Sequence, residues 1–323
     1  MTRLCRLFVA IALVAGALSA LPAVAAYPDR PIKIVLPYSA GGIGDLLLRA
    51  VQPELEKQLG QNLIIEYRTG AAGNIGTSEV VNAAPDGYTL LYAPTNNFVI
   101  NQFLFSNLGY DPLQALAPIS LLAETPYFIF INSQVPATNF KEFTAYARAH
   151  PGKLNYGSPG SGTVPHLSAF MLSEALGAHM VHVPYRGAQP GVQALLTNDV
   201  QMFIISYGLT GPLLAAGKLR ALAVAASHRF PALPDVPTTA EVGLAPDVIL
   251  GNWWAIAAPK GTDPAILRRW SEAIAIALRD PGVQKRYAQA GAVPAPTTPA
   301  ECAQRIASDA RGWKAIVEKS GVN

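Results

Sequence analysis

Cysteine is almost missing: the 323 residues hold two, Cys5 and Cys302. Cys5 falls within an expected leader, which leaves Cys302 without an intramolecular partner, so a disulfide framework is excluded. A metal site or a Cys–His pair would rest on that single thiol in an expected helix. A small buried helix residue fits it better. Charge is sparse as well. Asp, Glu, Lys and Arg make up 14% of the chain, with 24 basic and 21 acidic residues in no run or stripe. Nucleic acid is therefore not an expected partner. Beyond the amino terminus no apolar run is long enough to cross a bilayer. Other absences concern chemistry. No glycine loop ends in the Lys-Ser/Thr pair of a nucleoside triphosphate site, and residues 37–45 lack the Gly-x-Gly-x-x-Gly spacing of a dinucleotide site. No Gly-x-Ser-x-Gly elbow surrounds Ser39, Ser158 or Ser161. No cofactor and no metal are expected.

What is present is a large apolar fraction, 50%, in a chain long enough for two domains. Residues 1–26 begin with Arg3 and Arg6, run apolar from Leu7 and end in small residues around Ala23, Ala25 and Ala26. This is the pattern of a cleaved export signal, and the expected location is periplasmic. Downstream, short β-branched runs alternate with helical spacing. Runs at Ile32–Leu36, Leu63–Glu66, Thr89–Tyr92, Phe128–Ile131, Leu154–Tyr156, Met180–Pro184, Val200–Ile205, Arg220–Ala225 and Trp254–Ala257 read as buried strands of mostly parallel sheets. Leu48, Val51, Leu55 and Leu59 mark one face of a helix that Pro53 should kink. Asn139 with Glu142, Asp263-Pro264 and Thr298 with Glu301 read as helix starts. The fold class is α/β.

One unit occurs twice: strand, glycine loop, helix. The first loop is "PYSAGGIGD", residues 37–45, and the second is "GSPGSGTVP", residues 157–165. Glycine admits positive φ and close approach, and the helix that follows offers unpaired N–H groups. Together they suit a small anion such as a carboxylate, without the lysine a polyphosphate needs. A third stretch, "RTGAAGNIG", residues 68–76, is expected to pack against the first loop, with Asn74 its best candidate for reaching a ligand. Arg186, beside Gly187, could grip a carboxylate in bidentate fashion. His166 reads as an orienting hydrogen-bond partner, Asp45 as a helix-start acid, and Trp253 and Trp254 as core.

In order along the chain stand "YPDRPIKIVLPYSAGGIGD", "EYRTGAAGNIG", "PDGYTLL", "LNYGSPGSGTVPHL", "VPYRG", "AAGKLRALAV" and "LPDVPTTAEVG". This set resembles the Bug family, the periplasmic solute-binding components of tripartite tricarboxylate transporters. The resemblance implies the two-lobe type II periplasmic-binding fold, with two crossing strands and a small organic carboxylate held between the lobes. It implies hinge closure, an integral-membrane permease as partner, and a monomer. The implied lobes are 27–124 with 226–323, and 125–225. The implied ligand contacts are Tyr38, Ser39, Ala40, Gly41, Gly42, Asp45, Asn74 and Asn96 from the first lobe. From the second they are Ser158, Gly160, Ser161, Gly162, Thr163, His166, Arg186 and Gly187. Ile43 and Gly44 stand where the family usually carries hydroxyl or amide side chains, and Ile204 where many members carry an acid. Those departures point to a more hydrophobic acid and away from a simple amino acid or dicarboxylate. Two rival readings share these residues. One is a small-acid hydrolase or transferase with a serine nucleophile and His166 as base. The other is an extracytoplasmic sensor subunit that binds the same acid.

Overall fold

The computed structural model describes residues 27–226, 228–245, 248 and 251–321. The expected leader, 1–26, lies outside them. Among the described residues the strands form two sheets. The first has the order β2-β1-β3-β10-β4-β11 and the second β7-β6-β8-β5-β9. Here β1 is Ile32–Leu36, β2 Leu63–Tyr67, β3 Thr89–Pro94, β4 Leu116–Thr125, β5 Tyr127–Asn132 and β6 Asn155–Ser158. The rest are β7 Val181–Pro184, β8 Met202–Ser206, β9 Leu219–Val224, β10 Asn252–Pro259 and β11 Val293–Pro294.

The sheets are mixed rather than mostly parallel. Each starts with a parallel trio, β2-β1-β3 in one and β7-β6-β8 in the other. Antiparallel pairings extend both trios. The reason is the route of the chain. β5 arrives from the first sheet and is inserted between β8 and β9, while β10 arrives from the second and is inserted between β3 and β4. Each runs opposite to its neighbours. All nine expected strands are present; β4 and β11 were not anticipated. β4 contains Pro118, which cannot donate to a ladder and so argues against a central strand. It is tolerated because β11 pairs only with Glu124 and Ala123, and because the β10 register shifts beside it.

The chain crosses between sheets twice. β4 passes into β5 through Pro126 alone, and β9 returns to β10 through residues 225–251. The crossings are tied together: Thr125 Oγ1 donates to Asn252 O at 3.0 Å and Ala225 N to Tyr127 O at 2.8 Å. The segment 228–245, expected with the first lobe, packs on the second sheet. Val224 N donates to Pro237 O, Thr239 N to Val224 O, and the Phe230 ring meets Phe128 edge-on. The apolar run around Phe230 can be buried only there, against Phe128 and Phe130.

Capping follows the sequence. Asp263 accepts from Ala265 N, and Thr298 and Glu301 form a complete capping box. Asn139 accepts from Glu142 N, but Glu142 reaches back to Thr138 N, one residue earlier than a capping box requires. The Ile43–Leu59 helix runs on through Pro53 as one segment. The last helix, Pro299–Ser320, is also expected with the first lobe alone, yet it touches both lobes. Its buried face, Ile306, Ala310, Trp313 and Val317, packs against β4, the turn at Asn96–Ile100 and the Val164–Leu176 helix of the second lobe.

Cys302 lies on that inner face, fully buried, and burial pushes its thiol up to about 12. The thiolate is the reactive form, so a thiol reagent at pH 8 should label the native protein only as fast as it unfolds. On protein cut back to residues 27–323, whose one cysteine is Cys302, one equivalent of label should appear promptly in denaturing urea. Rapid labelling of native protein would contradict this placement.

Candidate ligand-binding site

The two glycine loops occupy equivalent places. Each leaves the carboxyl end of the middle strand of a parallel trio, β1 or β6, and enters a long helix, Ile43–Leu59 or Val164–Leu176. Loops at that end of a sheet are where open α/β folds bind ligands. Gly41 has φ +79° and Gly162 φ +74°, a left-handed turn that lets the chain fold back into the helix.

Both turns are pinned in the same way. The Gly41 N–H donates to Asp45 Oδ2 at 2.8 Å, and the Gly162 N–H donates to His166 Nδ1 at 3.1 Å. In both cases the acceptor is the third residue of the helix, four positions after the glycine. In both cases the neighbouring parallel strand supplies a polar ring. Tyr67 of β2 donates to Asp45 Oδ1 at 2.7 Å. His182 of β7 lies 2.6 Å from Ser158 Oγ, its ring stacked 3.8 Å from that of His166.

Asp45 is buried. Burial opposes its charge, but the Gly41 N–H, the Tyr67 hydroxyl and Arg49 outweigh it and hold the carboxyl below the usual aspartate range. Arg49 Nε donates to it at 2.9 Å. Asp45 therefore shapes the loop, both of its carboxylate oxygens being engaged within the first lobe. His166 is 5% exposed, and its Nδ1 is taken by Gly162. The hydrolase reading needs Nδ1 or Nε2 to serve Ser161, and no such bond exists among the described residues. Ser158 is fully buried and lies within hydrogen-bond reach of Gly160 and His182, so it is no exposed nucleophile.

Tyr38 turns inward. Its hydroxyl donates to Asn97 Oδ1 at 3.0 Å and to Ala72 O at 3.3 Å, and burial raises it well above the usual tyrosine range. Ala72 O also accepts from Asn97 and Asn101, which fastens the third glycine-rich stretch to the first loop. Ala71 and Ala72 take positive φ to make that turn. Asn74 is half-buried, and its Oδ1 is used inside this network, accepting from Asn101 Nδ2 at 2.6 Å. Sequence reading missed Asn97, Asn101 and Thr77, all fully buried, because nothing in their spacing marks them.

What stays outward is a shorter set. Ser39, Ala40, Gly41, Gly42, Ser161 and Arg186 are exposed. Among the described residues the amides of Ser39, Ala40 and Ser161 donate to no other group, and Ala40 and Ser161 occupy matching positions one residue before the pinned glycines. Thr163 caps the second helix by accepting from His166 N. Gly187 N donates to Pro159 O at 3.1 Å, which brings the Arg186 turn beside the second loop. The lobes meet at the same place: Asn96 Nδ2 donates to Gly162 O at 3.4 Å, and Leu104 crowds Gly162 from the first lobe.

Two of the three departing residues, Gly44 and Ile204, have packing reasons. A Cβ on Gly44 would sit 2.3 Å from the Trp254 ring, so glycine is required by the indole. Ile204 is fully buried in the core and faces no cleft. Trp253 and Trp254 are core residues, as expected.

Residues 47–322 match the family described as the tripartite tricarboxylate transporter family receptor. The chain belongs to that family. Protein BugT of Bordetella pertussis is 32% identical over 316 residues, 98% of this chain and 95% of BugT. The solved periplasmic binding protein BugD superposes with a TM-score of 0.78 at 32% identity, covering 92% of this chain and 99% of BugD. MatC from Rhodopseudomonas palustris, solved with bound malate, gives 0.77 at 33% identity, covering 90% and 100%. The receptor is thus a solute-binding protein with the periplasmic-binding fold, and not an enzyme.

Replacing Gly44 by Ala should destabilise the receptor by about 1–3 kcal/mol through overpacking on Trp254, despite better helix propensity. Urea unfolding measures it, and an unchanged midpoint would contradict the packing. A second expectation concerns pH. His166 is lowered to about 4 by burial and then by His182, and His182 to about 4 by burial. In the unfolded chain both rings titrate near 6.5. Between pH 6.5 and 4 unfolding therefore takes up protons, and stability falls as pH falls. Each ring contributes at most roughly 1.4 kcal/mol per pH unit in that window, less where solvent reaches it. Asp45 acts lower, its contribution being lost as pH drops through its depressed folded value. Unfolding midpoints at pH 7.5, 6 and 4.5 should fall in that order; a flat profile would contradict neutral buried rings.

Proposed function

We propose that the receptor captures a small organic carboxylate between its lobes in the periplasm and passes it to a membrane permease. The carrying observation is the matched pair of pinned glycine loops, one per sheet, with Asn96 of the first lobe donating to Gly162 O of the second loop. In this reading the carboxylate accepts from the free amides of Ser39, Ala40 and Ser161, with the first-turn amides of both helices and Arg186 nearby. Hydrogen bonds to a charged acceptor are the stronger kind, and stronger still away from water. Malate in MatC supports an acid as the ligand class. Lobe one is built on the first sheet and lobe two on the second. Closure is a rotation about the paired crossings at Thr125–Tyr127 and Ala225–Asn252. The closed surface is what the permease recognises, and the receptor works as a monomer.

A thermal-shift screen of the exported form against small mono- and dicarboxylates tests this. A ligand present at about 100 times its Kd adds about 2.7 kcal/mol of apparent stability. No shift with any acid, and none at any pH from 6 to 8, would sink the reading. Gly162→Val should abolish binding, since valine disfavours φ +74° and its Cβ would lie 2.6 Å from Leu104. Ser161→Ala should cost about 1 kcal/mol, or more if the hydroxyl faces the charge.

A further inference from the structure

We propose that His182, which no motif singles out as a ligand contact, is a positioning residue for the acid-binding loop. Its partners are Ser158 and His166, and the three form a clasp around residues 158–163. This rests on the reading of that loop as half of the acid site.

The geometry is specific to the atom. His182 Nε2 lies 2.6 Å from Ser158 Oγ. Ser158 Oγ in turn accepts from the Gly160 N–H at 3.2 Å and lies 3.0 Å from Gly160 O. On the other side of the exposed Ser161, His166 Nδ1 accepts the Gly162 N–H. The two imidazoles are stacked at 3.8 Å and 22°, and Tyr156 of β6 stacks on both. One ring therefore holds the residue before Ser161 and the other the residue after it. Neither needs to touch the ligand. The first lobe repeats the plan with different chemistry, Tyr67 from the neighbouring strand bonding Asp45, which holds Gly41. The parallel is partial, since Tyr67 bonds the acceptor itself while His182 bonds Ser158 and stacks on the acceptor, but in both lobes a polar ring from the neighbouring strand braces the side chain or loop that holds the glycine turn.

The two bonds come from different ring nitrogens, which gives a crossed test. Asparagine places an oxygen near the Nδ1 position and glutamine places a polar atom near the Nε2 position. His166→Asn and His182→Gln should keep their bonds; His166→Gln and His182→Asn should lose them. The first readout needs no ligand: amide hydrogen exchange of Gly160 and Gly162 by NMR on the whole exported chain. Exchange should accelerate about tenfold or more at Gly162 in His166→Gln, which removes its acceptor, and more modestly at Gly160 in His182→Asn, which frees the Ser158 hydroxyl that holds it, and stay near wild type in the matched pair. Urea unfolding of all four variants separates this local effect from general destabilisation. The second readout is affinity for a fixed probe set of malate, adipate and benzoate. Any affinity seen in wild type should fall about tenfold in the mismatched variants and survive in the matched ones. If all four variants show the same exchange at Gly160 and Gly162, the clasp is overturned. If the crossed exchange pattern appears but wild type binds no acid, the clasp stands and the proposed ligand class falls.

Discussion

Each lobe depends on one hydrogen bond: the amide of a left-handed glycine held by the third side chain of the helix it precedes. A helix start leaves several N–H groups without partners, and a flexible loop would point them in many directions. Here the acceptor removes that freedom by fixing the turn, so the neighbouring amides of Ala40 and Ser161 face outward in one geometry. The ordering entropy is met when the chain folds and not when a ligand arrives, which favours affinity without charged side chains. The device resembles a capping box shifted by one residue, since the third helical residue reaches past the cap to the residue before it.

The two lobes solve the same problem with opposite electrostatics. In the first the acceptor is a buried carboxylate, kept charged by Arg49, Tyr67 and the Gly41 amide. In the second it is a neutral imidazole, kept neutral by burial and by its stacked neighbour. A carboxylate ligand would meet one lobe that already holds a neutralised negative charge and one that holds none.

The sequence shows the loops plainly, because glycine and apolar runs are local signals. The nine strands are legible for the same reason, though the edge strands β2 and β7, expected as buried, are largely half-buried or exposed, because each lacks a neighbour on one side. β4 is not, because Pro118 contradicts a strand unless one knows that the β11 side is unpaired there. The packing of 228–245 on the second sheet is hidden because proline-rich loops carry no periodicity. The likeness between lobes is masked by residue type: Asp45 and His166 share a position and a task but no chemistry, and the supporting rings, Tyr67 and His182, lie in different motifs. Gly44 looked like a lost ligand donor. It is a packing requirement set by Trp254, more than 200 positions away in the chain, and no reading of a local window could find it.

The final helix bears on motion. Because Pro299–Ser320 lies against β4, the Asn96–Ile100 turn and the Val164–Leu176 helix at once, it behaves as a strut spanning the joint. A wide gape would peel its apolar face off one side and expose Ile306 or Trp313 to water. Parting the lobes therefore carries an apolar cost set by this helix, one that neither glycine loop shares.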